Sequence, residues 1–332
     1  MKTAVRNPLK KWLQAASVGA FLSLPAVTPA APADVLMDKP VQLVIPFAPG
    51  GVTDLIARMI QQDLSKELGR SVVVNNRPGA GGVVATNYVA NARPDGHTLF
   101  LSWDTHTINS IAIKNLPYDI FKDFDPVTLM VRMPLIMGAW GELPAQDLDG
   151  LIKLAKQQPG KYNFASIGVG SSNRLHAELL NSLAGVDIVH VPYAGGGPAV
   201  NAIRTGEVAY GFFSHGALRS FLETKQIRPL AVTGSKRLAV LPDTPTLQES
   251  GLNGFEAYSW VGIYAPAGTP APVIQELNRA FKTVLNDPQI LKRLHDMSVE
   301  VVASSPEELR EFEKQDYKKW LDFTKQRNIQ FD

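Results

Sequence analysis

Residues 41–68 read VQLVI, PFAPGG, then VTDLIARMIQQDLSKEL, and three kinds of local chemistry follow one another there. Val41 to Ile45 is short and apolar, the pattern of a strand in a parallel sheet. Pro46 to Gly51 breaks it with two prolines and two glycines, which cannot continue a strand or helix. From Thr53 to Leu68 the apolar residues recur at helical spacing. Strand, glycine-bearing loop and helix in that order form the repeating unit of an α/β sheet.

The unit recurs along the chain. Val72 to Asn75 is a strand, Arg77-Pro78-Gly79-Ala80-Gly81-Gly82 a loop, and Val83 to Ala92 a helix ending before Pro94; Asp95-Gly96 then turns into the strand Thr98 to Ser102. Further on, Lys161 to Ser166 is a strand, Gly168 to Ser172 a loop and Asn173 to Leu183 a helix. Ile188 to Val191, Tyr193 to Gly197 and Pro198 to Thr205 repeat the order, with Pro198 suited to a first helical position. Two longer apolar runs, Val127 to Met137 and Tyr258 to Ala265, read as crossings between two lobes. They predict a discontinuous first lobe, 34–133 plus 260–332, and a second lobe, 134–259. The helices Ala271 to Leu285 and Pro306 to Lys325 are expected to pack back on the first.

The N-terminus carries Lys2, Arg6, Lys10 and Lys11, an apolar stretch from Trp12 to Leu24, and the small residues Ala30-Ala31-Pro32-Ala33. This is the order of a cleaved secretory signal, 1–33, and the apolar stretch is too short for a membrane span, which needs roughly twenty residues. Export to the periplasm is the expectation. Without those four basic groups, Lys and Arg fall from 33 to 29 against 31 Asp and Glu, a net charge of −2. No basic stripe interleaved with aromatics remains, so nucleic acid is not an expected partner. The chain has no cysteine, which removes disulfides, thiol chemistry and a lipid-anchor cysteine together.

In open sheets of this kind ligands sit at the carboxyl ends of strands, where loops lead into helix N-termini. The first amides of a helix lack internal partners and its dipole makes that end partly positive, so an anion is the natural guest. Three glycine- or hydroxyl-rich loops stand at such ends: 46–54, 166–173 and 193–198. Nucleotide motifs do not match, since Gly168-Val169-Gly170 is followed by Asn173 where a third glycine is wanted. Catalytic motifs are equally thin: there is no G-x-S-x-G and no H-E-x-x-H, and the six histidines show no metal-ligand spacing. A Ser–His pairing across space, Ser171 with His176 or His215, stays open. Binding without cofactor, metal or catalysis is the expectation, with a hydrolase the least favoured alternative.

Against this background the chain resembles the periplasmic receptors of tripartite tricarboxylate transporters, the Bug proteins. The resemblance rests on Val44-Ile45-Pro46-Phe47-Ala48-Pro49-Gly50-Gly51 with Thr53-Asp54, Asn76-Arg77-Pro78-Gly79-Ala80-Gly81-Gly82, and Pro94-Asp95-Gly96 with Thr98-Leu99. It continues through Leu116-Pro117-Tyr118-Asp119, Lys122-Asp123-Phe124, His190-Val191-Pro192-Tyr193, Leu230-Ala231-Val232-Thr233, Leu241-Pro242-Asp243 and Ala265-Pro266-Ala267-Gly268-Thr269-Pro270. It implies a type II periplasmic-binding fold, two parallel-sheet α/β lobes closing as a Venus flytrap on a small carboxylate. It also implies membrane subunits of a tripartite transporter as partners, or a sensor kinase in a signalling variant, with the receptor a monomer.

Carried over by position, the first lobe contributes Phe47, Pro49, Gly50, Gly51 and Thr53, with Trp103 in the strand end Ser102 to Thr105. The second contributes Ser166, Gly168, Ser171, Ser172, His176, Tyr193, Gly195, Gly196, Phe213, Ser214 and His215. Phe212-Phe213 replaces a Met-Phe-Asp common among relatives, so the carboxylate that would face an amino-acid ammonium is missing. The ligand expected is an aromatic mono- or dicarboxylate, phthalate-like or benzoate-like, against Trp103, Phe213 or Tyr193. His215 or Arg174 would meet a second carboxylate. Aliphatic di- or tricarboxylates and amino acids are the alternatives.

Overall fold

The structure is a computed structural model that describes residues 39–168 and 170–331; the signal expected at 1–33 lies outside the described residues. The chain runs through β1 (Val41–Ile45), α1 (Val52–Leu68), β2 (Val72–Asn76), α2 (Val83–Ala90), β3 (Thr98–Leu101), α3 (Thr105–Ala112) and β4 (Phe124–Met133). Then come β5 (Ile136–Trp140), α4 (Leu148–Gln157), β6 (Asn163–Ser166), α5 (Ser172–Ala184), β7 (Val189–Pro192), α6 (Gly196–Thr205), β8 (Tyr210–Phe213), α7 (His215–Glu223) and β9 (Ile227–Val232). It ends with β10 (Ser259–Pro266), α8 (Ala271–Leu285), α9 (Pro288–Asp296), β11 (Glu300–Val301) and α10 (Pro306–Gln326).

Two sheets result, a six-stranded one in the order β11-β4-β10-β3-β1-β2 and a five-stranded one in the order β7-β6-β8-β5-β9. The inner strands are covered on both faces, which is why β3, β8 and β10 are buried almost throughout rather than alternating, while the edge strands β2 and β7 are partly exposed. In β1, Val41, Leu43 and Ile45 enter the core built with α1, α8 and α9. Val44 points the other way, into a core with Phe100, Trp260 and Tyr264.

The expectation of parallel sheets needs correction, because both are mixed. β1 is parallel to β2 and β3, and β6 to β7 and β8. β10, however, runs antiparallel to β3 and β4, and β5 antiparallel to β8 and β9. A helix crossover forces parallel pairing, whereas a strand arriving directly from the other sheet is free to run in the opposite direction.

The chain passes from one sheet to the other at Pro134-Leu135 and returns before Ser259. The two passages are stitched together. Leu135 N–H donates to Thr233 Oγ1 at 2.8 Å, Thr233 N–H donates to the Leu135 carbonyl at 2.9 Å, and Ala257 N–H in the returning passage donates to the Thr233 carbonyl at 3.4 Å. The Arg132 guanidinium lies 4.6 Å over the Tyr258 ring. Helix α10 touches elements of both sheets: Trp320 is buried with Ile108 of α3 and Leu175 of α5. Among the described residues no helix is long and apolar enough to cross a membrane.

Candidate ligand-binding cleft

A cleft of about 960 Å³ lies where the carboxyl ends of strands from both sheets meet. From the six-stranded side it is walled by Pro46 to Thr53 after β1, Pro78 to Gly82 after β2, and Trp103 after β3. From the five-stranded side come Ile167 after β6, Ala194 to Gly197 after β7, and Phe213-Ser214 at the end of β8. Met133, Leu135 and Ser259 line it from the two passages between sheets. The walls are largely apolar and aromatic, with Phe47 meeting Trp103 edge-on at 6.4 Å between ring centres.

Among the described residues, no Asp, Glu, Lys, Arg or His lines this cleft. Its side-chain polar groups are hydroxyls, amides and one indole: Thr53, Ser214, Ser259, Asn173, Asn201 and Trp103. What it has instead is helix starts. Helices α1, α6 and α7 begin here at Gly51, Gly195 and Ser214, and none of the three has a side chain capping its first amides. Side chains cap α4, α5, α9 and α10, from Asp147, Ser171, Asp287 and Ser305, whereas α2, α3 and α8 are uncapped like the three at the cleft. Open amides at the positive end of a helix dipole, worth about half a charge each, give a neutral wall the means to hold an anion.

The loop after β1 is held rigid from behind. Asp54, buried in the first turn of α1, accepts the Gly50 N–H at 3.0 Å, the Arg58 guanidinium at 3.0 Å and Asn76 Nδ2 at 3.0 Å. Asn76 also donates to the Phe47 carbonyl at 3.0 Å. The Arg58 guanidinium, more than any other neighbour, keeps the Asp54 carboxyl below its ordinary range. Gly82, at φ +100° with only 3.2 Å between an added Cβ and Pro46 Cβ, lets the loop after β2 close against the loop after β1.

Gly196, Gly197 and Gly216 differ from such glycines. An added Cβ at any of them meets nothing within 4 Å, and none has a positive φ. Neither conformation nor internal packing requires glycine there; all three face the cleft.

Of the residues expected from the sequence, Phe47, Pro49, Gly50, Gly51, Thr53, Trp103, Gly195, Gly196, Phe213 and Ser214 come together on the cleft. Ser166, Gly168, Ser171, Ser172, His176, Tyr193 and His215 are not on it, and several already have structural partners. The Ser166 hydroxyl, fully buried, is 2.6 Å from His190 Nε2, and burial pulls that imidazole down to about 4. Ser171 caps α5 and donates to the Gly168 carbonyl at 2.7 Å. The Tyr193 hydroxyl donates to Glu207 at 2.8 Å, and burial followed by that carboxylate pushes it up to about 12.

His176 is corrected outright. It has no exposed surface and is packed against Phe212 and Trp320, with burial pulling it down to about 3, so it is a neutral core residue. Burial lowers His215 as well, and Arg174 is spent on Glu178 at 3.6 Å and on the Phe331 ring. Ile167 and Asn173 lie in the loop 166–173 that the sequence singled out, although neither was named as a site residue. Pro78 to Gly82 repeat the loop-before-helix pattern without having been assigned, and Met133, Leu135, Asn201, Ser259 and Met297 carry no local signal.

Next to Trp103 in the chain, Asp104 is a buried acid that feels the charge of a second one, Asp316. Asp104 is 2% exposed, and burial pushes its carboxyl up to about 7; the hydroxyls of Ser259 and Ser172 face it, and neither of its oxygens completes a hydrogen bond. Its neighbour Asp316 on α10 is better served, by Thr107 Oγ1 at 2.7 Å, Trp320 Nε1 at 3.1 Å and Trp260 Nε1 at 3.3 Å. Burial raises the Asp316 carboxyl as well, and these three donors work against that rise.

A profile of the tripartite tricarboxylate transporter family receptors matches residues 56–329. Protein BugT of Bordetella pertussis is 32% identical over 307 residues, which are 92% of this chain and 94% of BugT. MatC from Rhodopseudomonas palustris, solved with bound malate, superposes with a TM-score of 0.77 at 34% identity, covering 85% of this chain and 98% of MatC. The R. palustris protein Rpa4515, solved with adipate, gives a TM-score of 0.81 at 33% identity, covering 87% of this chain and 97% of its own.

Proposed function

Because the chain belongs to the tripartite tricarboxylate transporter receptor family, a family of solute-binding proteins rather than enzymes, we propose that it captures a small mono- or dicarboxylate carrying an aromatic ring. It does so in the periplasm and hands the ligand to the membrane subunits of a tripartite transporter. One observation carries the reading: a neutral, aromatic-walled cleft into which three uncapped helix starts open.

The electrostatics select the ligand's charge. About half a positive charge at each helix start matches one or two carboxylates. A third carboxylate would be desolvated without a cation to meet it. An amino acid's ammonium would find no carboxylate, since among the described residues neither Asp104 nor any other acid lines the cleft. Between the polar ends Phe47, Trp103 and Phe213 offer ring faces and edges. The malate and adipate of MatC and Rpa4515 fit the same charge rule, and their aliphatic chains make such acids the natural comparison set.

Micromolar affinity needs about 8 kcal/mol. Hydrogen bonds to a carboxylate contribute about 1.5 to 3 kcal/mol each, so several are required. The α1 start belongs to the six-stranded side and the α6 start to the five-stranded side. A ligand gripped by both favours closure of the two halves about the stitched passages near 133–136 and 257–259; one gripped by a single side cannot shift that equilibrium. A thermal-shift series with benzoate, terephthalate, succinate, citrate and glutamate tests the reading. Stabilisation by benzoate or terephthalate, with citrate and glutamate inert, is expected; stabilisation by glutamate alone refutes it.

A further inference from the structure

Asn173, the second residue of α5, is 7% exposed and lines the cleft on the same side as Phe213. Its Nδ2 donates to the Phe212 carbonyl at the end of β8. That bond orients the amide, because only the NH₂ group can face a carbonyl, and it leaves Oδ1 directed away from β8. Among the described residues no donor reaches Oδ1, yet it is not one of the enclosed polar atoms without a partner. The atom therefore opens on the cleft, as an acceptor with a fixed direction.

This acceptor is out of keeping with the helix starts, which offer an anion only N–H donors. A carboxylate has no use for Oδ1. A ligand that covered Oδ1 with a bare ring carbon or methylene would strip it of water and return nothing, a loss of roughly ten- to hundredfold in affinity. An ammonium would supply donors, but its full charge would meet a single amide oxygen in a cleft without acids. A hydroxyl meets the requirement at no cost in charge.

Resting on the carboxylate reading above, we infer that Asn173 selects a hydroxyl on the ligand, so that the preferred ligand is a hydroxylated small carboxylate and, in the aromatic series, a hydroxybenzoate. The bond to Phe212 makes Asn173 a positioned specificity group rather than a free side chain, and it places the hydroxyl beside the Phe213 wall.

The test is calorimetric titration of the purified protein with matched acids: benzoate against 3- and 4-hydroxybenzoate, and succinate against malate. In at least one pair the hydroxylated acid is expected to bind tenfold tighter or more. In Asn173→Ala that preference falls to about onefold, mainly through weaker binding of the hydroxylated acid, while the parent acid stays within about threefold. Since the substitution also cuts the tie to Phe212, its melting temperature is recorded, and the wild-type comparison stands without the variant. Equal binding within each pair overturns the inference while leaving the carboxylate reading intact. A preference that survives in Asn173→Ala overturns it too. If no acid of either kind binds, the carboxylate reading falls and this inference with it.

Discussion

The substitution Asp104→Asn should make the protein more stable at neutral pH and leave it unchanged in acid. The reason is the buried carboxyl next to Trp103 in the chain, raised from 3.8 to about 7 chiefly by burial. A carboxyl whose native value is raised binds more protons folded than unfolded. The protein is then most stable below 3.8 and loses stability as pH rises through the interval to about 7. At 1.36 kcal/mol per pH unit that interval is worth about 4 kcal/mol at most. An asparagine in that place would be neutral at every pH and would escape the loss, its amide able to donate to the facing hydroxyls of Ser259 and Ser172. At roughly 2 °C per kcal/mol for a chain of this size, the variant should melt about 8 °C above wild type at pH 8. Differential scanning calorimetry of both proteins between pH 4 and pH 8 makes the comparison. Any constant effect of the substitution cancels, because the prediction concerns how the difference grows with pH. A difference independent of pH would show that Asp104 carries no raised carboxyl and refute the reasoning.

Gly196→Ala adds a Cβ that meets nothing within 4 Å, so the unfolding free energy from chemical denaturation should hold or rise by up to about 1 kcal/mol, while affinity for the best carboxylate falls tenfold or more in titration; unchanged affinity would put the ligand elsewhere. Gly79→Ala should do the opposite kind of damage. At φ +143°, with the new Cβ 2.9 Å from Val84 Cγ2, it should lower the unfolding free energy measured in urea by about 1 to 3 kcal/mol. Asp54→Asn cuts the anchors of the loop at Gly50 and should weaken binding several-fold as read by fluorescence titration of Trp103. Because Arg58 holds Asp54 below 3.8, the wild-type loop should keep its anchor above that value and lose it only as pH falls through the lower native one.

How much of this was legible in the sequence depends on how local each signal is. The unit at 41–68 was readable because Val41 to Ile45, the glycines and the periodicity of α1 all lie within one short stretch. The mixed direction of the sheets was not, since the way β5 and β10 join them depends on where each passage leaves the opposite sheet. Position-by-position transfer named Gly195 and Gly196, and both line the cleft. It failed for His176 because only the first turn of α5 reaches the cleft. One turn further on, the same helix faces Phe212 and Trp320. Ser172 and Asn173 are adjacent, yet the former faces Asp104 and the latter the cleft. A single step along a helix turns a side chain by about 100°, and serine and asparagine give no hint of which face is which. Met133, Leu135 and Met297 are ordinary apolar residues until two separate segments bring them together.

The central claim is that a neutral cleft holds its anion by backbone amides at helix starts rather than by charged side chains. A crystal structure with the best-binding carboxylate addresses it directly. The account predicts carboxylate oxygens within about 2.7 to 3.2 Å of main-chain nitrogens in 50–53 and 195–197, directly or through one water, with the rest of the ligand against Phe47, Trp103 or Phe213. A carboxylate instead paired with an Arg, Lys or His side chain, or lying outside this cleft, would contradict it.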